Sequence, residues 1–369
     1  MDHHAPEHHA TAFAVTRNPA PASDAERARR MDSQPFGTVF SDHLAKATWT
    51  ADRGWHDRRI EPFGDLVLHP GATVLHYGQQ VFEGLKAYRW ADGSIHLFRP
   101  EANAARFNAS AVRMALPPLP EEDFLGSIEE LLGVDAAWVP DVEETSLYLR
   151  PMLIGTEPCL GVRPSATVGY VLLASPVGAY FPNGVKPVSI WVAQGFHRAG
   201  AGGTGQAKTA GNYAASMLPQ QQAQDHGCDQ VLFLDASRDM YVEELGGMNV
   251  FAVRRDGTIW TPRVTGTILE GVTRDSVIEL LRGDGRDVIE RDISIDELRD
   301  GIASGAVQEV FACGTAAVVT PIARLVAPSY DLVVGDGGPG TVTMALRQRL
   351  TDIQYGHAED THGWMRRVV

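Results

Sequence analysis

The 369-residue sequence predicts an α+β protein of two domains. Three observations predict it. The length exceeds what one hydrophobic core ordinarily serves. Short strand-like runs alternate with helical ones and carry two hairpin signals, Ala91-Asp-Gly93 and Arg254-Arg-Asp-Gly257. Between these lies Tyr180-Phe-Pro-Asn-Gly-Val-Lys-Pro187, whose Asn-Gly pair and two prolines mark a linker. The expected division is a disordered tail over residues 1–35, a smaller α/β domain over 36–181, a linker over 182–188 and a larger domain over 189–369.

Each element follows from local pattern. The first 35 residues are rich in His, Ala and Pro without a sustained apolar period, which reads as a solvated tail. Leu85 to Arg89 and Ser94 to Phe98 are the arms of the first hairpin. Pro100 opens a helix through Met114, proline being suited to a first turn. Pro117, Pro118 and Pro120 end it, and Glu121 to Leu132 form the next. Leu147-Tyr-Leu-Arg150 and Val168 to Leu173 read as strands, with Tyr148 and Arg150 on one face by alternation. Val188 to Ala193 and Val231 to Asp235 open the second domain. A strand through Glu243 and Glu244 admits only one of the two acids to any pocket, and alternation leaves open which. Val253 and Ile259 flank the second hairpin, and Leu269-Glu-Gly-Val-Thr273-Arg274 leads into a helix through Leu281. Phe311 to Ala317 follows a strand and turns back into Val318-Val-Thr-Pro321. The last helical pattern, Thr341 to Ile353, is assigned to packing alone.

A formal charge of −14 disfavours nonspecific nucleic-acid binding, so any anion site must be built locally. No apolar run reaches the ~18 residues a membrane span needs, and the N-terminus lacks a signal-peptide pattern. No membrane partner is expected and the expected compartment is the cytoplasm. His3, His4, His8 and His9 are assigned to the tail rather than to a metal. Cys159, Cys228 and Cys313 are too widely spaced for a zinc knuckle and leave one unpaired.

The chemistry centres on Lys208-Thr-Ala-Gly-Asn-Tyr213, which aims a lysine from a strand-to-helix turn. Gly200, Gly202 and Gly205 match a dinucleotide-binding pattern, but Asp225 sits near a helix end rather than a strand end, where the ribose-binding acid belongs. A Walker loop fails because Gln206 stands where its lysine should be. A lysine that holds an aromatic aldehyde cofactor covalently needs a carboxylate opposite the ring nitrogen. Tyr241-Val-Glu-Glu-Leu-Gly-Gly-Met-Asn249 supplies an acid before a tight Gly-Gly turn. Val272 and Thr273 place free N–H groups and a hydroxyl at a helix start, where phosphate binds, and Gly314-Thr-Ala316 offers a second anion turn.

With Tyr77-Gly-Gln-Gln-Val-Phe-Glu-Gly84, Leu97-Phe-Arg-Pro100, Leu147-Tyr-Leu-Arg-Pro151 and Ser175-Pro-Val-Gly-Ala-Tyr180, these motifs occur in the order of one family. From about Thr38 onward the chain resembles the bacterial branched-chain aminotransferases of PLP-dependent fold type IV, with Ala210 where a glycine is commoner. The resemblance implies the two-domain D-amino-acid-aminotransferase-like fold with pyridoxal 5′-phosphate at the domain interface. It implies Lys208 as the catalytic residue and covalent anchor, and it selects Glu244, the acid directly before Leu-Gly-Gly, for the pocket, which leaves Glu243 to solvent. Arg99, Tyr213, Glu244, Leu269, Val272, Thr273, Gly314 and Thr315 are the further cofactor-binding residues it implies, with no metal. Tyr77, Phe82, Tyr148, Arg150, Tyr180, Gly247, Thr315 and Ala316 are the implied substrate-binding residues. The implied partners are amino acids, 2-oxo acids and a second copy of the chain. A redox Cys-x-x-Cys found in some relatives is replaced here by Ala317 and Thr320. Other enzymes of the fold, a D-amino acid transaminase or an aminodeoxychorismate lyase, and a nucleotide-binding module are the alternatives.

Overall fold

The computed structural model describes residues 12–32, 35–178 and 185–369. The chain divides into two compact units, one comprising the chain to Asp141, Thr145–Val177 and Arg366–Val369, the other Val142–Glu144 and Gly178–Met365.

The first unit begins with β1 (Ala14–Val15) and α1 (Asp24–Met31), followed by β2 (His43–Thr50), β3 (Gly54–Pro62) and the short α2 (Thr73–Tyr77). Then come β4 (Gln80–Phe82), β5 (Leu85–Arg89), β6 (Ile95–Phe98), the helices α3 (Pro100–Arg113) and α4 (Glu121–Asp135), and the long strands β7 (Ser146–Gly155) and β8 (Thr167–Val177). One sheet runs in the order β1-β3-β2-β8-β7-β5-β6, and β4 also pairs with β7. Its last partner beyond β6 is β18 (Met365–Arg367), from the far end of the chain. Helix α3 buries Ala104, Phe107 and Ala111, the three- and four-residue spacing of one helical face. Phe107 meets Phe124 of α4 at 5.4 Å between ring centroids and Tyr170 of β8 at 6.3 Å. Burying a side chain of that size stabilises by roughly 1.5–3 kcal/mol.

Several expectations need correction. Residues 12–32 of the expected disordered tail are structured: Ala14 and Val15 pair with Arg59 and Ile60, and Phe13 is buried in the first unit's core, which gives this stretch the apolar anchor its composition concealed. Residues 1–11, with the four histidines, lie outside the described residues. The first domain is not an alternating α/β unit. All of its strand pairs for which the register is defined are antiparallel except β1 with β3, and β2–β3, β5–β6 and β7–β8 are each consecutive antiparallel pairs, while α3 and α4 carry the chain from β6 over β5 to β7. Strand β7 also runs beyond Arg150, because Pro151 lacks only a donor and its carbonyl accepts from Glu83 N at 2.8 Å.

The second unit holds β9 (Val188–Val192), α5 (Ala210–Asp225), β10 (Gln230–Leu234), β11 (Val242–Leu245), β12 (Asn249–Arg254), β13 (Ile259–Pro262), α6 (Val272–Gly283) and β14 (Val288–Arg291). After α7 (Ile295–Ala303) come β15 (Val307–Gly314), β16 (Val318–Ala327), β17 (Tyr330–Val333) and α8 (Thr341–Gln354). The order β11-β10-β9-β16-β15-β12 returns on itself because β11 also pairs with β12. These six strands therefore close a ring, which removes the free edges of an open sheet. The closing pair in the register is Glu244 with Asn249. Val192, Leu232, Leu245, Val310 and Ala312 pack in its core.

Candidate active site

Lys208 stands just before α5 and is half-buried. Its Nζ donates to Tyr213 Oη at 2.7 Å and lies 5.0 Å from that ring's centre. Five residues separate the two in sequence, and the helix start between them brings both side chains together. Asn212 explains the remaining polar letter of the motif. Its Nδ2 donates to the carbonyls of Thr204 and Ala207 at 2.8 Å each, while Thr204 Oγ1 donates to Asn212 Oδ1 at 2.7 Å. The loop ahead of the lysine is thus fixed to the helix. Ala210 is the first helical residue and has no positive φ, so alanine suits the place as well as glycine and favours the helix more.

Glu244 lies on the closing seam of the ring, 2% exposed. Its Oε1 accepts from Leu269 N at 2.9 Å and pairs with Arg198 Nη1 at 2.8 Å, and its Oε2 accepts from Asn249 Nδ2 at 3.2 Å. Arg198, which sequence reasoning missed, is 4% exposed and also donates to the carbonyls of Gly205 and Thr267. Gly205 is required there: a Cβ would lie 2.4 Å from the Thr267 carbonyl oxygen. The glycine-rich stretch that matched a dinucleotide turn is not followed directly by a helix: its Gly205 packs on Thr267 and accepts from Arg198, and the helix begins only at Ala210.

Burial raises the Glu244 carboxyl to about 7, against the opposing pull of Arg198 and the Leu269 amide and with further elevation from Glu243. The folded carboxyl keeps its proton to higher pH than the unfolded one, so its stabilising contribution is full below the unfolded value of 4.5 and is lost as pH rises through about 7. Cofactor-free wild type should therefore lose ~2–3 kcal/mol between about pH 5 and about pH 8 that Glu244→Gln does not lose, read by urea unfolding at the two values. A variant with the wild-type slope would refute this.

The assignment of Glu243 to solvent is overturned. It is 5% exposed, and it accepts from the Thr267 hydroxyl. Both neighbours on β11 are buried because the strand is covered on both faces.

The remaining residues of this unit lie on turns. Val272 and Thr273 are buried at the start of α6, where Gly271 is the cap, and Leu269 is buried just upstream. Gly314, the last residue of β15, and Thr315 and Ala316 on the connection to β16 are half-buried. That turn ends on Val318 at φ 62°, a left-handed conformation that a β-branched residue rarely adopts. Arg347 of α8 supports it: the guanidinium, 5% exposed, donates to the carbonyls of Ala317 and Val319 at 2.9 and 3.2 Å. Assigning that helix to packing alone was thus too narrow. Gly247 lies beside Tyr213, and a Cβ added to it would sit 3.8 Å from the ring.

In the first unit, Arg150 Nη2 donates to Tyr148 Oη at 3.0 Å, and its guanidinium lies 4.7 Å from the centre of the Phe82 ring. Gly84 leaves the space that Tyr148 fills, since a Cβ there would meet the phenol oxygen at 2.0 Å. Tyr77 is 41% exposed and donates to the Leu160 carbonyl. Arg99 ends β6 at φ 49° and ψ 46°, and this left-handed residue redirects the chain into α3. Tyr180 lies outside the described residues. Among the described residues no group of His, Cys, Asp and Glu could hold a metal ion, and no helix is long and apolar enough to cross a membrane.

A family model described as amino-transferase class IV matches residues 80–325. A branched-chain-amino-acid aminotransferase from Mycolicibacterium smegmatis is 52% identical over 360 residues, covering 96% of this chain and 98% of its own. Branched-chain-amino-acid aminotransferase 2 of Bacillus subtilis is 46% identical over 334 residues, covering 90% of this chain and 92% of its own. The crystal structure of the Escherichia coli branched-chain aminotransferase superposes with TM-score 0.73 at 28% identity, covering 88% of this chain and all of that one. That of the T.th. branched-chain aminotransferase with pyridoxamine 5′-phosphate gives TM-score 0.73 at 30% identity, covering 88% and 99%. The chain belongs to the class IV aminotransferases, fold type IV, and within them to the branched-chain-amino-acid aminotransferases.

Proposed function

We propose that the protein transfers the amino group of leucine, isoleucine or valine to 2-oxoglutarate, using pyridoxal 5′-phosphate and giving a branched 2-oxo acid and glutamate. The observation that carries this is Glu244, a buried carboxyl raised to about 7 on the same unit as the Lys208–Tyr213 pair. An acid so placed can share a proton with a pyridine nitrogen. Bound there, the cofactor supplies an electron sink for the carbanion left when a substrate loses its Cα proton.

The chain's own residues do the rest. Lys208 is the covalent anchor and, once released, the base that carries the Cα proton; the Tyr213 hydroxyl orients its amine. Arg198 keeps Glu244 from being fully neutralised in its dry pocket. Arg99, Thr273, the N–H of Val272, Gly314 and Thr315 hold the phosphate, and Leu269 lies against the ring. Backbone amides of Thr315 and Ala316, with Gly247 beside them, take the substrate's α-carboxylate. Tyr77, Phe82 and Tyr148 receive the branched side chain. Arg150, whose buried Nε has no hydrogen-bond partner among the described residues, takes the distal carboxylate of glutamate.

A substrate panel tests the reading. Leucine with 2-oxoglutarate should yield glutamate, while D-alanine and aminodeoxychorismate should not react; preferential use of either would reassign the chain within the fold. The proposal includes a homodimer in the cytoplasm, checked by light scattering for twice the chain mass.

A further inference from the structure

Beside β11 the second unit holds a cavity of about 220 Å³ that reaches inward from an exposed rim at Ala201, Ala236 and Ser237 to the buried Val242 and Glu243. Its polar wall includes three carboxylates, Asp235, Glu243 and Asp292. Two are already satisfied. Asp235 accepts from the backbone amides of Arg238, Met240 and Tyr241 and from the Ser237 hydroxyl, and Asp292 is gripped by Arg263 through two hydrogen bonds of 2.6 and 2.7 Å. Glu243 is not. Its Oε1 takes the Thr267 hydroxyl, but Oε2 is buried with no hydrogen-bond partner among the described residues. Arg198, a buried cation that acts on Glu243, is committed to Glu244 and to the Gly205 and Thr267 carbonyls. An acceptor left in this way costs free energy that a ligand with a donor recovers.

We propose that this cavity binds a small organic cation bearing N–H donors, an alkylammonium or amidinium ion of a few carbons, with the donors on Glu243 Oε2 and the carbon body against Val242, Pro262 and Ile268. The sign of the ligand follows from the charge balance: Arg263 cancels Asp292, and the amide-capped Asp235 and Glu243 remain. The size follows from the volume, which suits a metabolite smaller than the drug-sized ligands of larger pockets. Burial, the largest influence on Glu243, raises its carboxyl, and Asp235 raises it further, while the Thr267 hydroxyl, Arg198 and His197 lower it. A cationic guest would favour its ionised form.

The test uses the cofactor-loaded protein and acetamidinium chloride, because a primary amine would also react with the cofactor. Calorimetry and thermal midpoint should show saturable binding and stabilisation that tetramethylammonium chloride, lacking N–H groups, does not produce. Glu243→Gln, which keeps shape and removes charge, should bind at least ~10-fold more weakly. No saturable heat up to ~10 mM in the wild type, or equal affinity in Glu243→Gln, would overturn the proposal. Should Glu243→Gln not fold, Ala236→Trp fills the cavity from its exposed rim, and unchanged affinity in that variant overturns the proposal equally. The readout is binding, so it succeeds or fails independently of the transamination reading.

Discussion

Lys208→Ala should lower glutamate formation from leucine and 2-oxoglutarate by at least ~10⁴-fold, since it removes both the covalent anchor and the proton carrier. The fold should survive. Lys208 is half-buried at a helix start, its Nζ donates a hydrogen bond to the Tyr213 hydroxyl, and the loop ahead of it is held by Asn212. Urea unfolding should therefore place the variant within ~1 kcal/mol of the cofactor-free wild type. Added methylamine, which can stand in for the missing base but not for the anchor, should restore only a small part of the rate. A variant that turned over leucine normally would remove Lys208 from the chemistry altogether.

Arg198→Met should produce the largest loss of stability, ~3–5 kcal/mol, because methionine fills much of the arginine's volume yet leaves a buried carboxyl without its cation. The carbonyls of Gly205 and Thr267 would lose their donors at the same time. Activity should fall as well, with Glu244 pushed further towards its neutral form. Arg198→Lys restores the charge but not the fork that reaches two carbonyls and a carboxylate, so partial recovery is expected. Urea midpoints and the pH dependence of kcat for the three proteins provide the comparison. A purely structural arginine would change the midpoints and leave the pH profile in place.

The difference between these two residues shows what the sequence could reveal. Lys208, Tyr213, Glu244 and Thr273 lie in short contiguous motifs that are legible one by one, and it was the resemblance to one family, not the spacing between the motifs, that put them in one expected site. Arg198 acts through residues 7, 46 and 69 positions away in the chain, namely Gly205, Glu244 and Thr267, which become neighbours only when β11 meets β12. Arg347 left a usable signal, since it sits inside the buried stripe Thr343, Leu346, Leu350 and Ile353, where a charged residue needs a partner. Glu243 was misread for a related reason. Alternation separates the two faces of a strand, but it does not say that the second face is wet, and here both are covered. The hairpins and the helices at Pro100 and Glu121 were legible because turn glycines, prolines and apolar periods are local properties.

The strand β18 has one more implication. Residues 366–369 belong to the first unit: Val368 N donates to the Ile95 carbonyl, Ile95 N donates to the Val369 carbonyl, and Arg366 pairs with Glu101 and Glu129. A single scission in the linker therefore cannot yield two finished halves. The amino-terminal fragment would keep a naked β6 margin, a template for adhesion to its own kind, until a peptide carrying the last residues annealed to it. Ribosomal synthesis meets the same constraint, because the early-made sheet must wait for the final residues to emerge before its border is sealed.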